Sequence, residues 1–284
     1  MKGLFSLVMV LILSLALPLP LQAQWQLLPA PEPPAVFAGD HRVVNLTWLN
    51  TGDQPAEAEI RTRLWQASSS TAIRLGDTPW KTLRAQPHQT ILEQATLDFP
   101  AIKAPTTFIL QWLDRSNQVL GTTRVQVYPT NLLDDLKRLL PRSGDTLGVL
   151  DPHQQLIPTL RSAALPFINL AEGTLTNFAG QLLLVGPCNP ADPEWDGLAD
   201  RLRQVAGHGT PVVWIQAAPA RPDQPRPSFY LVTQHRAAVV VVQPELVTGL
   251  PDQPQSQLNL LYFCQLALQP EPFNLPDSNH QPQL

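Results

Sequence analysis

The feature that most restricts the fold of this chain is a change in its hydrophobic period near residue 129. Before that point apolar and polar residues alternate, as in the segments 44–48 and 57–64, which is typical of strands with one buried and one solvated face. After it, leucines recur at helical spacing over residues 132–140. Because strands repeat every two residues and helices every 3.6, the change predicts two kinds of architecture in one chain.

Residues 24–129 are predicted to form an all-β, immunoglobulin-like sandwich. The turn residues of segment 50–53 end an early strand, and segment 115–118 has the composition of a hairpin turn. About seven short strands at such spacing, with no helical stretch between them, favour this fold. Phe108, Leu110 and Trp112 alternate on one face of a strand. We expect them to form the core together with Trp48.

Residues 130–269 are predicted to form a flavodoxin-like α/β domain with a doubly wound parallel sheet. Short apolar runs, expected as strands, alternate with segments of helical period, and such alternation places helices on both faces of a parallel sheet. The strands are expected at 146–150, 167–170, 181–185, 211–215 and 237–242, and the helices at 132–140, 154–164, 194–208 and 255–268. The tail, residues 270–284, is expected to be disordered.

The first 23 residues have the layout of a secretory signal peptide. Lys2 precedes an apolar run over residues 4–17, Pro18 breaks it, and Ala23 offers a small residue before cleavage. The alternative is an uncleaved membrane anchor, although the run is shorter than the ~20 residues of a spanning helix. We therefore expect a secreted or periplasmic protein with no membrane span after signal removal.

Charge and cysteine content limit the possible ligands. A net charge of −4 gives no electrostatic basis for binding nucleic acid. Cys188 and Cys264 are the two cysteines; they form either one disulfide, as exported proteins allow, or two buried thiols. The cysteines and the six histidines show no metal-ligand spacing, so neither a metal nor another cofactor is predicted.

Ligands of doubly wound sheets bind at the carboxyl ends of the strands. The residues predicted there as a possible ligand cleft are Asp151, Glu172, Cys188 and Asn189. Asp151 also stands where a cap for the following helix belongs. A catalytic Cys188 would need an activating base, and the histidine nearest to a strand end is His153. No catalytic residue is therefore assigned.

Three segments of the second half resemble the class I glutamine amidotransferase-like superfamily: residues 181–187, 209–216 and 239–245. The first is similar to the family's strand ending in Gly-Gly-Pro, the second to the strand that delivers its nucleophilic cysteine, and the third to the strand ending in His-Pro-Glu. Gln216 stands in place of the cysteine and Gln243 in place of the histidine, while Glu245 matches. Because a carboxamide is neither nucleophile nor base, the resemblance implies a degenerate, inactive site.

The first half resembles CARDB-type adhesion modules through residues 46–56 and the closing strand into residues 127–129. The two resemblances together imply a non-catalytic protein of the bacterial envelope that binds or scaffolds, with a protein or glycan partner. Exposed tryptophans would favour a glycan, with Trp25, Trp65 and Trp80 as candidates. Two alternatives stay open: a hydrolase acting on glycans or esters through an unrecognised site, and a structural subunit of a larger envelope complex.

Overall fold

A computed structural model describes residues 24–140, 147–170, 172–189, 191–217, 229–233 and 237–270, with the side chains of residues 172–174 and 233 excepted. The predicted signal peptide, residues 1–23, and the tail from residue 271 lie outside this description. The strands are β1 (Trp25–Leu28), β2 (Ala35–Phe37), β3 (Gly39–Asn50), β4 (Ala56–Ala67), β5 (Ala72–Ala85), β6 (Thr90–Phe99), β7 (Thr106–Leu113), β8 (Val119–Tyr128), β9 (Leu147–Leu150), β10 (Ile168–Asn169), β11 (Leu182–Cys188), β12 (Val212–Gln216), β13 (Phe229–Thr233) and β14 (Ala238–Val242). The helices are α1 (Asp134–Leu139), α2 (Ile157–Ser162), α3 (Leu198–Gly207) and α4 (Pro254–Leu268).

The contacts of the chain divide it into two compact units that are interleaved in sequence. The first comprises the chain up to Pro34 together with Asp40–Asp98 and Thr106–Gln126. The second comprises Ala35–Gly39, Phe99–Pro105 and the chain from Val127 onward. Two short segments from the strand-rich half therefore belong to the unit that contains the helices.

The strand-rich half forms two sheets. One has three strands in the order β1-β3-β6 and the other has five in the order β2-β8-β7-β4-β5. The long hairpin of β4 and β5 pairs from Ala56 opposite Ala85 to Ala67 opposite Ala72, and β4 also pairs antiparallel with β7. The strand with the alternating polar residues, β4, is thus an interior strand of this sheet, paired with β5 on one side and with β7 on the other.

Three tryptophans join the two sheets in the core of the first unit. Trp48 on β3 and Trp112 on β7 are fully buried and meet edge to face, with 6.0 Å between their ring centroids. Trp80 on β5 packs against both rings, at 6.4 Å and 4.9 Å. Trp25 is also buried, and the Trp65 indole donates a hydrogen bond to Gln111. Of the tryptophans considered for glycan binding, Trp25 and Trp80 therefore pack in the protein.

The second unit is built on a six-stranded sheet in the order β10-β9-β11-β12-β14-β13. The first five strands in this order are parallel to their neighbours, and β13 is antiparallel to β14. Alternate residues of the central strands enter two apolar clusters, one on each face of the sheet. Helices α1, α2 and α4 contribute to one cluster and α3 to the other, so the central strands are apolar along their whole length.

The predicted fold class, an all-β sandwich followed by a separate, doubly wound parallel α/β domain, is wrong. The described residues form three sheets, and the α/β sheet is mixed because β13 runs antiparallel. Only four residues separate β13 from β14, whereas a parallel connection needs a dozen or more. The all-β half is also not separate, because Ala35–Gly39 and Phe99–Pro105 belong to the second unit.

Several helices are shorter than their hydrophobic pattern predicted. The segment expected as a helix over residues 194–208 is divided into a 3₁₀ turn at Pro193–Trp195 and α3, which begins after Gly197. Gly197 has a φ of 71°, a left-handed conformation that interrupts a right-handed helix and that glycine adopts at little cost. The helix expected over residues 255–268 is found as α4, one residue longer at its start.

Candidate functional site

The carboxyl ends of the parallel strands meet at one edge of the six-stranded sheet. In this sheet β10 lies on one side of β9 and β11 lies on the other side, so the chain reverses its direction of progress across the sheet after β10. Such a reversal opens a crevice between the carboxyl ends of the two strands, where doubly wound proteins bind their ligands. The site is therefore expected between Asp151, which follows β9, and the end of β11.

Asp151 lies at this position, and its carboxylate is hydrogen-bonded within the protein. The side chain is 3% exposed. Its Oδ2 accepts hydrogen bonds from the backbone N–H groups of Leu156 and Ile157, at 2.7 and 2.8 Å, and its Oδ1 accepts one from Gln155 at 3.0 Å. These amides belong to the start of α2, where N–H groups lack helical partners. Asp151 therefore caps α2 across the connecting loop, and three hydrogen bonds to backbone amides use most of the accepting capacity of its carboxylate.

Cys188 ends β11 and is buried, at 1% exposure. Its Sγ accepts a hydrogen bond from the Trp214 indole N–H at 3.2 Å. Burial raises the pKa of the Cys188 thiol, and the charge of Asp192 adds to this effect, while the Trp214 hydrogen bond acts in the opposite direction. A buried thiol with a raised pKa holds little of the nucleophilic thiolate at neutral pH.

The two cysteines are free and lie on opposite faces of the sheet. Cys188 belongs to the apolar cluster with α3, and Cys264 on α4 belongs to the cluster with α1 and α2. Burial raises the pKa of Cys264 to about 12. Of the two possibilities left open by the sequence, the structure therefore has two buried thiols and no disulfide between them.

The structure brings Gln216 and Gln243 to neighbouring strand ends. They directly follow Ile215 and Val242, which are paired in register between β12 and β14. Both side chains are half-buried, and Gln216 Oε1 accepts a hydrogen bond from the Tyr230 hydroxyl at 3.1 Å. The amide of Gln216 is thus held by β13.

Tyr230 was not found by sequence reasoning. It contacts Gln216 only because β13 lies antiparallel beside β14, with Tyr230 opposite Val241. In the sequence, the apolar segment that begins with Phe229 and Tyr230 is a signal that could have indicated a strand here.

The remaining residues predicted at the site lie on separate turns and loops of the described chain. Glu245 is exposed on the 3₁₀ turn Pro244–Leu246. Asn189 closes its own loop, since its Oδ1 accepts from the Ala191 N–H at 3.1 Å and its Nδ2 donates to Asp192 at 3.0 Å. Glu172 begins the 3₁₀ helix Glu172–Asn177, and its side chain is outside the described part of the chain.

Among the described residues, no group of three or more histidine, cysteine, aspartate or glutamate side chains is arranged to hold a metal ion. In the same residues no helix combines the length and the apolar character needed to cross a membrane.

Comparisons with known proteins leave the family of this chain open. No protein-family model matches it, and no curated protein matches it. Among the solved structures that are similar to part of this chain is the alkylpurine DNA glycosylase AlkC from Pseudomonas fluorescens (11% identity, TM-score 0.29, 37% of this chain and 31% of that chain). Two others are a beta-glucosidase from Listeria innocua (15%, 0.27, 37% and 16%) and the sporulation control protein Spo0M from Bacillus subtilis (12%, 0.28, 42% and 56%). The chain thus spans less than a third of the first two proteins and about half of the third. TM-scores this low assign neither a fold nor a function.

Proposed function

We propose that this chain is a non-catalytic protein of the bacterial envelope that acts by binding or scaffolding. One observation carries the proposal. The polar side chains where chemistry is expected are bonded to the protein itself, through Asp151 to the start of α2, Cys188 to Trp214 and Gln216 to Tyr230. Each of these internal bonds uses hydrogen-bonding capacity that the group would otherwise offer to a substrate.

The chemistry of the strand ends supports the same conclusion. Nucleophilic catalysis needs a side chain activated by a neighbouring base or by a lowered pKa. Cys188 has a raised pKa and a tryptophan N–H as its hydrogen-bond partner. Carboxamides stand at the ends of β12 and β14, at Gln216 and Gln243, and a carboxamide neither attacks a carbonyl nor accepts a proton at neutral pH.

The proposed location and partner class are supported by the sequence alone. The signal-like segment 1–23 supports export, and the resemblance of the second half to a degenerate amidotransferase-like domain supports loss of catalysis. The resemblance of residues 46–56 to adhesion modules favours a protein or glycan partner in the envelope.

The proposal is tested by the reactivity of single-cysteine proteins. In Cys264→Ala only the Cys188 thiol remains, and in Cys188→Ala only the Cys264 thiol. Each folded protein is treated with iodoacetamide at pH 7.5 and followed by intact mass. We expect neither thiol to react in the time that fully labels a free cysteine peptide. Both should react in 6 M guanidinium chloride, and this reaction is the control that each thiol is present.

A hydrolysis assay completes the test. The wild-type protein and Cys188→Ala are compared on p-nitrophenyl acetate and on p-nitrophenyl glycosides. The proposal holds if the two proteins release p-nitrophenol at the same rate as buffer. It fails if the wild type releases p-nitrophenol faster than buffer. Loss of that activity in Cys188→Ala, together with rapid and stoichiometric labelling of folded Cys264→Ala, would assign the activity to Cys188.

A further inference from the structure

The outer face of the five-stranded sheet carries side chains that the core does not use. On β4, Thr62 is buried and lies opposite the core residue Trp112. Successive residues of a strand point to opposite faces, so Arg61, Arg63 and Trp65 lie on the face turned away from this core. Arg61 and Trp65 are four residues apart, which is about 13 Å along a strand.

The Trp65 ring is held on this face by β7. Its indole N–H donates to Gln111 Oε1 at 3.0 Å, and Gln111 is paired with Arg63, two residues from Trp65 along the sheet. The tether fixes the ring, which is half-buried and therefore keeps part of its apolar surface accessible. The apolar face of a sugar stacks on such a ring, and a ring that is already ordered loses little conformational entropy on binding.

One carboxylate joins two arginines beside this ring. Arg63 donates to both oxygens of Asp77, from Nε at 3.1 and 3.2 Å and from Nη2 at 3.0 Å. Arg74 on β5, which is paired with Trp65, donates to the same carboxylate from Nε at 3.0 Å. Two guanidinium groups against one carboxylate leave one positive charge next to the indole.

Arg61 adds a second unbalanced positive charge to this face. Among the described residues no hydrogen bond or ion pair engages its guanidinium, and none of its side-chain nitrogens is fully buried. The protein as a whole has a net charge of −4, so the excess of positive charge is local. A guanidinium binds a carboxylate through two parallel hydrogen bonds, and the face is therefore complementary to a partner that carries carboxylates.

We propose that the Trp65 face, formed by Arg61, Arg63, Trp65, Arg74 and Gln111, binds an acidic polysaccharide. A sugar ring stacks on the indole, and the carboxylate of another sugar of the same chain binds Arg61. The separation of about 13 Å along the strand requires an oligosaccharide rather than a single sugar. This inference rests on the proposed binding function and names its partner class, and it involves none of the residues at the carboxyl ends of the parallel strands.

The experiment measures binding of the full chain to polygalacturonate by isothermal titration calorimetry. Fully methyl-esterified polygalacturonate is the matched probe, because it has the same sugar rings without the charge, and polyglutamate supplies carboxylates without sugar rings. The variants are Arg61→Gln and Trp65→Ala. Lys103→Gln is the control, since it removes a positive charge from an exposed position between β6 and β7, outside the sheets.

We expect saturable binding of polygalacturonate by the wild type and by Lys103→Gln, and weaker binding as salt is added. Arg61→Gln should bind about 3- to 10-fold more weakly, as should Trp65→Ala. Arg61→Gln tests the site by itself if Trp65→Ala does not fold. Equal binding of the esterified polymer or of polyglutamate, or unchanged binding by Arg61→Gln, overturns the proposal.

The same experiment separates this proposal from the proposed function. Absence of binding to polygalacturonate overturns the acidic polysaccharide as the partner and leaves a non-catalytic protein that binds another partner. Binding followed by release of new reducing ends from the polymer would support the Trp65 face and contradict the non-catalytic function.

Discussion

The Asp151 carboxylate lies where a side chain at position 186 would have to begin. A Cβ atom built on Gly186 would be 2.5 Å from Asp151 Oδ1 and 3.2 Å from the Asp151 Cα. The glycine of β11 thus allows the carboxylate to reach the amides of α2 from the end of β9. This contact occupies the crevice between the two strands where a ligand of a doubly wound sheet would bind.

Gly186→Ala is predicted to destabilise the protein by about 1–3 kcal/mol, as overpacking of a dense interior does. The new methyl group displaces a carboxylate that three backbone hydrogen bonds hold in place. Urea denaturation measures the change. Gly207→Ala is the matched control, because a Cβ there meets no atom within 4 Å and alanine favours the helix by up to about 1 kcal/mol. Equal effects of the two substitutions would contradict the prediction.

Trp80→Ala is predicted to destabilise the first unit by about 2–3 kcal/mol, somewhat less than a fully buried tryptophan does because Trp80 is only half-buried. The loss arises from its contacts with Trp48 and Trp112. Near-ultraviolet circular dichroism measures the change in tryptophan packing, and urea denaturation measures the loss of stability. Ile73→Ala on the same strand is the control, since Ile73 is 60% exposed and should change stability by less than about 0.5 kcal/mol.

The ion cluster of the β4–β5 hairpin is predicted to make stability depend on acid pH. Hydrogen bonds from Arg63, and then from Arg74, lower the pKa of Asp77. A lowered folded-state pKa stabilises the fold above the unfolded value of 3.8, and this contribution is lost as the pH falls through the folded value. Asp77→Asn should therefore be less stable than wild type at pH 7.

The stability difference between wild type and Asp77→Asn should shrink as the pH falls below 3.8. Glu57→Gln is the control, because its ion pair with Arg84 is exposed on both sides and such pairs contribute little. Denaturation curves between pH 2 and pH 7 test both variants. A stability difference between wild type and Asp77→Asn that is constant over this pH range would refute the stabilising role of the Asp77 carboxylate.

Cys264 is predicted to make stability depend on alkaline pH. Burial raises its folded-state pKa to about 12 from 9.0, so the folded state keeps a proton that the unfolded chain loses. Its contribution is complete below pH 9 and declines by about 1.4 kcal/mol per pH unit above it. The stability advantage of wild type over Cys264→Ala should thus be about 2 kcal/mol smaller at pH 10.5 than at pH 8. An advantage that does not change with pH would contradict the burial of this thiol.

Some properties of the chain are visible in local patterns. The alternation in residues 57–64 predicts a strand, and the apolar run of residues 237–242 predicts a strand covered on both faces. The structure has β4 and β14 at these places. Both patterns depend on the period of one segment and on burial of its apolar side chains, so no distant partner is needed to interpret them.

The sequence by itself determined the approximate places of strands such as β4 and β14 and of the helix α4, and which side chains are available at the strand ends. Tertiary structure decided the direction of β13, the assignment of Ala35–Gly39 and Phe99–Pro105 to the second unit, and the bonds of Asp151, Cys188 and Gln216. Trp214 and Tyr230 lie 26 and 14 residues from the groups they bind. Local propensity acts over a few residues, whereas a hydrogen bond between distant residues exists only after strand order and direction have brought its two atoms together.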